Sequence, residues 1–348
     1  MSNLPPSGEI PRGAIRFNTD SNKPELWDGS QWAEFQLSTP NLGRSVDTQP
    51  GARGVFSQGF ITPSPNVTGR LDYINIASTG DAATFHDGTA MYAQASFSSS
   101  TRGVSAGGDA PANRNILFIT LASTGTQTDS GGDLSSNLLM YGTGVSNSTR
   151  GLICGGLAPG RKSEIEYVTI ASLGNSQDFG HLTADKFAMG AVGSPTRGLL
   201  LGGSPSPGAQ VDDIDAVTIP TLGDAQDFGT LTTVTTQGSG ASNATRGVLF
   251  GGRYVGTRSK IEYVTIASLG NGIDFGDLSR TTTRDGGSVA SPTRAVFAGG
   301  DQQQPTSANR VDTIDYIELS TQGNAVDFGN LTVARNHMAG MSNAHGGL

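Results

Sequence analysis

The chain has 348 residues, of which 50 are glycine, about twice the usual share of roughly 7%, while charged residues make up 15% against a usual value of about 25%. The net charge is −8 and only four basic residues are lysine, so the basic face with which a nucleic-acid binder displaces counterions is missing. A single cysteine, Cys154, excludes a disulfide framework and a cysteine-rich zinc site; no run of about 18 apolar residues offers a transmembrane helix, and regularly recurring apolar stretches exclude disorder.

Met1-Ser2-Asn3-Leu4-Pro5-Pro6 has no charged-then-apolar signal pattern, so synthesis in a cytoplasm is expected. Residues 1–36 hold both tryptophans, Trp27 and Trp32. Strands are expected at residues 13–19, 25–27 and 31–35, with turns at Asp20-Ser21-Asn22-Lys23-Pro24 and Asp28-Gly29. Three strands of this size bury too little to be stable alone. They need the rest of the chain, a partner, or copies of themselves, and a homo-oligomer formed through residues 1–36 fits that need. The order Ile15-Arg16-Phe17-Asn18-Thr19, turn, Trp27-Asp28-Gly29, Trp32 resembles a short module of tailed-phage fibre and tail proteins. The resemblance implies an attachment role, with Phe17, Trp27 and Trp32 as the residues that would carry it. The competing reading is a small β-hairpin that only packs on the remainder of the chain. Residues 37–50, with Pro40, Gly43 and Pro50, read as a linker.

Residues 51–348 are built from copies of one stretch, clearest in Asn243-Ala244-Thr245-Arg246-Gly247-Val248-Leu249-Phe250-Gly251-Gly252. Its arginine recurs at 53, 102, 150, 197, 246 and 294, with spacings of 49, 48, 47, 49 and 48. A period in this range marks an array of supersecondary units. After each Gly-Gly pair comes a variable loop, then an alternating strand (residues 261–268, with counterparts at 71–78, 116–123, 165–172, 214–221 and 314–321). An Asp-Phe-Gly segment follows at 178–180, 227–229, 274–276 and 327–329, read as a core phenylalanine and a turn glycine. A small-residue strand such as Met189-Gly190-Ala191-Val192-Gly193 leads into the next arginine.

Four short strands per repeat without helical periodicity predict an all-β fold, a six-bladed β-propeller preceded by the small N-terminal β-module. The C-terminal segment 336–347 is one more small-residue strand. It is expected to complete the first blade and close the ring, leaving no exposed edge. The blade pattern resembles kelch-type repeats, with phenylalanine where those carry tryptophan and with an added Thr-Arg-Gly.

No motif demands catalysis. Asp-Phe-Gly recurs without a phosphate loop or a strand lysine, which fits a blade element and not a kinase. The repeated arginine suits a tie to a neighbouring blade better than an anion site. His86, His181, His337 and His345 have no metal-ligand spacing, so no metal and no cofactor is expected. Cys154 reads as a buried, inert thiol.

The loops after Gly-Gly, residues 62–70, 109–115, 157–164, 204–213, 253–260 and 301–312, differ while the frame repeats, as on a rigid array that carries a binding surface. Their hydrogen-bonding residues Arg70, Asn113, Arg114, Arg161, Lys162, Arg253, Tyr254, Arg258, Gln303 and Gln304 are the binding candidates. Together the resemblances imply a non-enzymatic component of a bacteriophage virion: a tail fibre, spike or decoration protein. It would attach through its N-terminal module to other virion proteins and present the propeller to a host-surface glycan or protein. Neither nucleic acid nor a membrane is expected as a partner. A carbohydrate-active enzyme with acids at one channel mouth, and a purely structural virion protein with buried loops, are the alternatives.

Overall fold

The structure is a computed structural model. It describes residues 10–18, 23–34, 53–61, 66–109, 113–135, 140–157, 159–205, 208–253, 259–280, 284–304 and 307–348. The described elements are all β-strands, paired antiparallel. The chain divides into two units, Met1–Thr48 and Gln49–Leu348. The expected linker, 37–50, lies outside the described residues.

In the first unit Ile15–Asn18, Lys23–Trp27 and Trp32–Glu34 pair in chain order. Asp28 fixes the second turn: its Oδ1 accepts the backbone N–H of Ser30 at 2.7 Å and of Gln31 at 2.8 Å. These bonds hold its carboxyl below the usual aspartate range. Strand alternation puts Arg16, Asn18, Glu25, Trp27 and Trp32 on one face and Ile15, Phe17 and Leu26 on the other. On the first face the two indoles lie 5.5 Å apart, the Arg16 guanidinium stacks 4.2 Å from Trp32, and Arg16 pairs with Glu25 at 2.6 Å. Trp27 is buried and Trp32 half-buried, so the tryptophans hold the sheet together. Ile15 and Phe17, on the opposite face, are 67% and 57% exposed.

In the second unit six antiparallel sheets follow one plan, and they are called first to sixth after the arginines at 53, 102, 150, 197, 246 and 294. The fifth shows it plainly: Ser239–Ser242, Arg246–Phe250, Lys260–Thr265 and Ile273–Asp277, paired in that order. The first sheet takes its first strand from the other end of the chain. Ala339–Ser342 pairs with Arg53–Ile61, Ala339 opposite Ser57 and Ser342 opposite Gly54.

The core is not one mass but six clusters, each shared by two neighbouring sheets. Val248 and Phe250 of the fifth sheet meet Phe297 and Ile317 of the sixth. Phe56 and Ile74 of the first sheet meet Val296, Ile314 and Phe328 of the sixth. Cys154 is buried in the cluster between the third and fourth sheets, and that burial raises its thiol pKa well above the ordinary value, which keeps it protonated and inert.

The structure differs from the sequence expectations in three places. The third strand of the fifth sheet ends at Thr265 rather than Ser268, because the chain turns at Ile266 and Ala267 and offers carbonyls to the neighbouring sheet. The Asp-Phe-Gly phenylalanine is in the core as expected, but the glycine is not in a turn. The segment lies inside the fourth strand, where Asp215 pairs with Asp227 and Ile214 with Gly229, leaving Phe228 as the extra residue of a β-bulge. The bulge swings the phenylalanine into the core, and a side chain at Gly229 would strike the carbonyl of Gly270 in the next sheet at 2.5 Å. Lastly, several expected loops are partly strand. Arg70 lies in Asn66–Asn75, Arg161 and Lys162 in Arg161–Thr169, and Asp301–Gln304 pairs with Ser307–Arg310 as a hairpin.

Two sets of bonds join each sheet to the next. Five of the six repeat arginines stack on an aromatic ring of the third strand of their own sheet, as Arg246 does at 4.6 Å from Tyr263, while Arg197 has Ala216 there and lies 5.8 Å from Phe228. The Nη1 of each repeat arginine then donates to a carbonyl at the end of the next sheet's third strand. Arg53 reaches Leu121 (2.9 Å), Arg102 Ile170 (2.7 Å), Arg150 Ile219 (2.9 Å), Arg197 Ile266 (2.9 Å), Arg246 Leu319 (2.6 Å) and Arg294 Ala77 (3.0 Å). This is the tie expected of a rigid guanidinium fork.

The second set was not legible as such. Five third strands carry a buried carboxylate at one position: Asp72, Glu166, Asp215, Glu262 and Asp315. Each accepts a Ser or Thr hydroxyl from the preceding sheet. Thr332 bonds Asp72 at 2.7 Å, Ser135 Glu166 at 2.8 Å, Thr183 Asp215 at 2.7 Å and Ser279 Asp315 at 2.6 Å, and Thr232 bonds Glu262. Buried Arg335 and Lys186 add ion pairs to Asp72 (2.7 Å) and Asp215 (3.1 Å). The second sheet has Leu117 at this position.

Candidate functional site

The small-residue first strands of the sheets lie side by side and line a channel. Just before each first strand stands one non-glycine residue in the left-handed backbone region: Ala93, Tyr141, Ala188, Gln237, Asp285 and His337, with φ between 53° and 59°. The backbone N–H of each donates to the carbonyl of its counterpart in the preceding sheet. The series runs Tyr141 to Ala93 (2.8 Å), Ala188 to Tyr141 (3.1 Å), Gln237 to Ala188 (2.8 Å), Asp285 to Gln237 (3.0 Å), His337 to Asp285 (2.6 Å) and Ala93 to His337 (3.2 Å). The left-handed region costs a non-glycine residue on the order of 1–2 kcal/mol. It is held here because each of these residues is locked on both sides by a neighbour.

These six residues frame a cavity of about 150 Å³. Below it the channel narrows at Ser96, Gly144, Ala191, Gly240, Ser288 and Gly340. Glycine is required at every second sheet, since a Cβ at Gly144, Gly240 or Gly340 would lie 2.0–2.1 Å from the backbone oxygen of Ser96, Ala191 or Ser288. Beneath the neck a second space of about 70 Å³ ends at His345. The His345 Nε2 donates to the Ser98 carbonyl at 2.8 Å and its Nδ1 accepts the Gly347 N–H at 3.1 Å, which fixes the neutral tautomer. Burial lowers its pKa.

The upper cavity has two unlike halves. Tyr141 stands between Ala93 and Ala188 and meets the His337 ring edge-on at 5.5 Å. Burial, then the negative charges of Asp285 and Asp109, push the Tyr141 phenol up to about 12. Opposite lie Gln237 and Asp285. The Asp285 side chain is 6% exposed, and its Oδ2 makes no hydrogen bond among the described residues. Arg284 Nε and His337 Nε2 approach that oxygen only to 3.7 and 3.6 Å. Burial raises the Asp285 pKa, with His337 and Arg284 opposing the rise. Arg284 also donates to Gln237 Oε1 at 3.3 Å and pairs with Asp301 at 3.6 Å.

The expected binding loops rise beside this mouth. The residue preceding each left-handed position bridges the residue that follows the Gly-Gly pair, as Tyr92 does with Asp109, Thr236 with Arg253 and Arg284 with Asp301. The expected residues do not converge on one point. Arg70 pairs with Asp87 (3.0 Å), Arg114 with Asp133 (3.5 Å) and Lys162 with Glu164 (3.6 Å). Asn113 accepts the Asn115 N–H within its own turn at 3.1 Å. Arg161 bonds the Ser204 carbonyl at 3.1 Å and stacks on Phe187, which in turn packs on Tyr141. Arg253 is exposed. Tyr254 and Arg258 lie outside the described residues, and Gln303 and Gln304 are described by their strand alone.

Tyr141, Gln237 and Asp285 were missed as site residues, and His337 was noted only as lacking metal-ligand spacing. A signal did exist: two residues before each small-residue strand, one position changes from Ala to Tyr, Gln, Asp or His while its surroundings repeat.

No protein-family model matches this chain, and none of the curated proteins matches it.

Proposed function

We propose that the second unit is a closed six-bladed, kelch-like propeller that binds a ligand at its channel mouth, and that the whole chain is a tailed-phage virion component. Closure is supported by bonds that run sheet to sheet and return from the sixth to the first. Among them are the Arg294–Ala77 tie, the Phe56–Phe328 cluster and the His337–Ala93 hydrogen bond. Attachment is carried by one observation on the first unit. The face opposite its tryptophans presents Ile15 and Phe17 to solvent on a sheet too small to stand alone, as expected of a surface that another chain covers. The virion assignment rests on the resemblance of residues 13–32 to the phage fibre module.

A binding role fits the mouth better than catalysis. Glycoside cleavage needs two carboxyl groups free to face the scissile bond. Asp285 faces the cavity, but Asp301 is paired with Arg284, and Asp109 accepts the Tyr92 hydroxyl at 2.5 Å. A glycan-cleaving reading is favoured only by the raised pKa of Asp285.

Cryo-electron microscopy of the particle tests the proposal. A propeller held distally, with its anchor at residues 11–36, is the expected result. A propeller wedged between other proteins with its mouth buried would leave a purely structural role. Absence from the particle would remove the virion assignment.

A further inference from the structure

We propose that the cavity at the channel mouth holds the terminal residue of a neutral glycan. This rests on the reading of the second unit as a binding module and names what its mouth takes.

The first argument is unmet hydrogen bonding. Asp285 is almost wholly buried, yet its Oδ2 has no hydrogen-bond partner among the described residues, with Arg284 Nε and His337 Nε2 no nearer than 3.7 and 3.6 Å. A buried carboxylate in that condition is costly, and native structures rarely tolerate one without a ligand or water. Beside it, Gln237 lines the cavity and accepts from Arg284 through its Oε1, which leaves its amide N–H groups to donate elsewhere. Adjacent sheets thus set an acceptor next to a donor pair. A hydroxyl is both donor and acceptor, so two neighbouring hydroxyls on one ring satisfy Asp285 and Gln237 together.

The second argument is the shape of the opposite wall. Tyr141 stands between two alanines, and its ring offers an apolar surface to the C–H face of a sugar. The ring of six backbone hydrogen bonds holds both walls in place before any ligand arrives, so little ordering cost remains.

The third is charge. Arg284 lies within 3.7 Å of Asp285 and 3.6 Å of Asp301. A free anion in the cavity meets the Asp285 carboxylate, and a free cation competes with the Arg284 guanidinium that already stands beside that carboxylate. Uncharged hydroxyls meet neither penalty. Depth decides the last point. The neck at Gly144, Gly240 and Gly340 and the His345 floor bar a chain from passing through, so only an end residue enters.

Saturation-transfer NMR on the full chain tests this with methyl glycosides of glucose, galactose, mannose and N-acetylglucosamine, and with methyl glucuronide as the charged probe. At least one neutral glycoside should show transfer, weakened tenfold or more in Asp285→Asn and in Gln237→Ala, and unchanged in His181→Ala on an outer strand. Gln237→Ala keeps the test decisive should Asp285→Asn fail to fold. Transfer from the glucuronide alone, or from none of the probes, overturns the proposal. Transfer that survives both cavity variants but is lost in Lys162→Ala puts the sugar on the loops. In that case the cavity proposal fails while the binding-module reading stands.

Discussion

Arg294 and Ala77 stand 217 residues apart in the chain, and the Nη1 of the first donates to the carbonyl of the second at 3.0 Å. The same guanidinium stacks 4.7 Å from Tyr316 of its own sheet. One side chain therefore joins the sixth sheet to the first. Arg294→Ala should lower stability by about 2 kcal/mol, the range for a charged donor lost from a carbonyl. Arg197→Ala should cost less, because Arg197 has Ala216 in place of the stacking ring and lies 5.8 Å from Phe228. Urea unfolding of both variants gives the comparison, and equal losses would deny the stacking a share.

Removing residues 336–348 takes away the first strand of the first sheet and the residues that fill the lower end of the channel. The truncated chain should lose its cooperative thermal transition. A melting temperature equal to that of the full chain would refute the closure scheme.

Arg335 and Asp72 form a fully buried pair at 2.7 Å, and Arg335 also donates to the carbonyls of Gln58 and Phe56. Arg335→Met alone should cost on the order of 3–5 kcal/mol, because it leaves a buried carboxylate without its cation. The double variant Arg335→Met with Asp72→Leu should recover much of that loss. Chemical denaturation of the single and double variants measures the difference.

His345 gives the chain a specific acid sensitivity. Its folded pKa is depressed by burial below the ordinary 6.5. Between the two values the unfolded chain binds the extra proton, so stability is full above about 6.5 and falls as the pH drops toward the folded value. Melting temperature followed from pH 7.5 to 5 should show this slope. His345→Asn, which keeps a donor and an acceptor but no titrating ring, should flatten it.

Much of the second unit was legible because its rules are local. The arginine period, the Gly-Gly stop and the alternation of residues 261–268 each lie within one repeat, and the structure has strands at Arg246–Phe250 and Lys260–Thr265, the second ending three residues earlier than expected. What was hidden depends on pairs far apart in the chain. Thr332 meets Asp72 across 260 positions, and no pattern within one repeat says that a buried acid waits there. The mouth was hidden for another reason. Tyr141, Gln237, Asp285 and His337 adopt a backbone shape that sequence reading assigns to glycine, so their variation within a repeating frame was the one mark of the position. In the first unit the alternation of Ile15–Asn18 already separated Phe17 from Arg16, but only the pairing register put both tryptophans with Arg16 on the opposite face.

The neck of the channel carries a consequence for how such a chain can change length. Glycine at Gly144, Gly240 and Gly340 lets one backbone press on the next, while Ser96, Ala191 and Ser288 keep side chains, and Ser96 and Ser288 bond back to the carbonyls of Gly340 and Gly240. In the closed ring proposed above, the two kinds of sheet take turns. A circle with an odd number of members cannot take turns throughout. Loss or duplication of one repeat would set two tight contacts, or two loose ones, side by side. A variant of this chain shortened or lengthened by two repeats keeps the alternation, whereas one changed by a single repeat breaks it, so the parity of the count is written into three glycines.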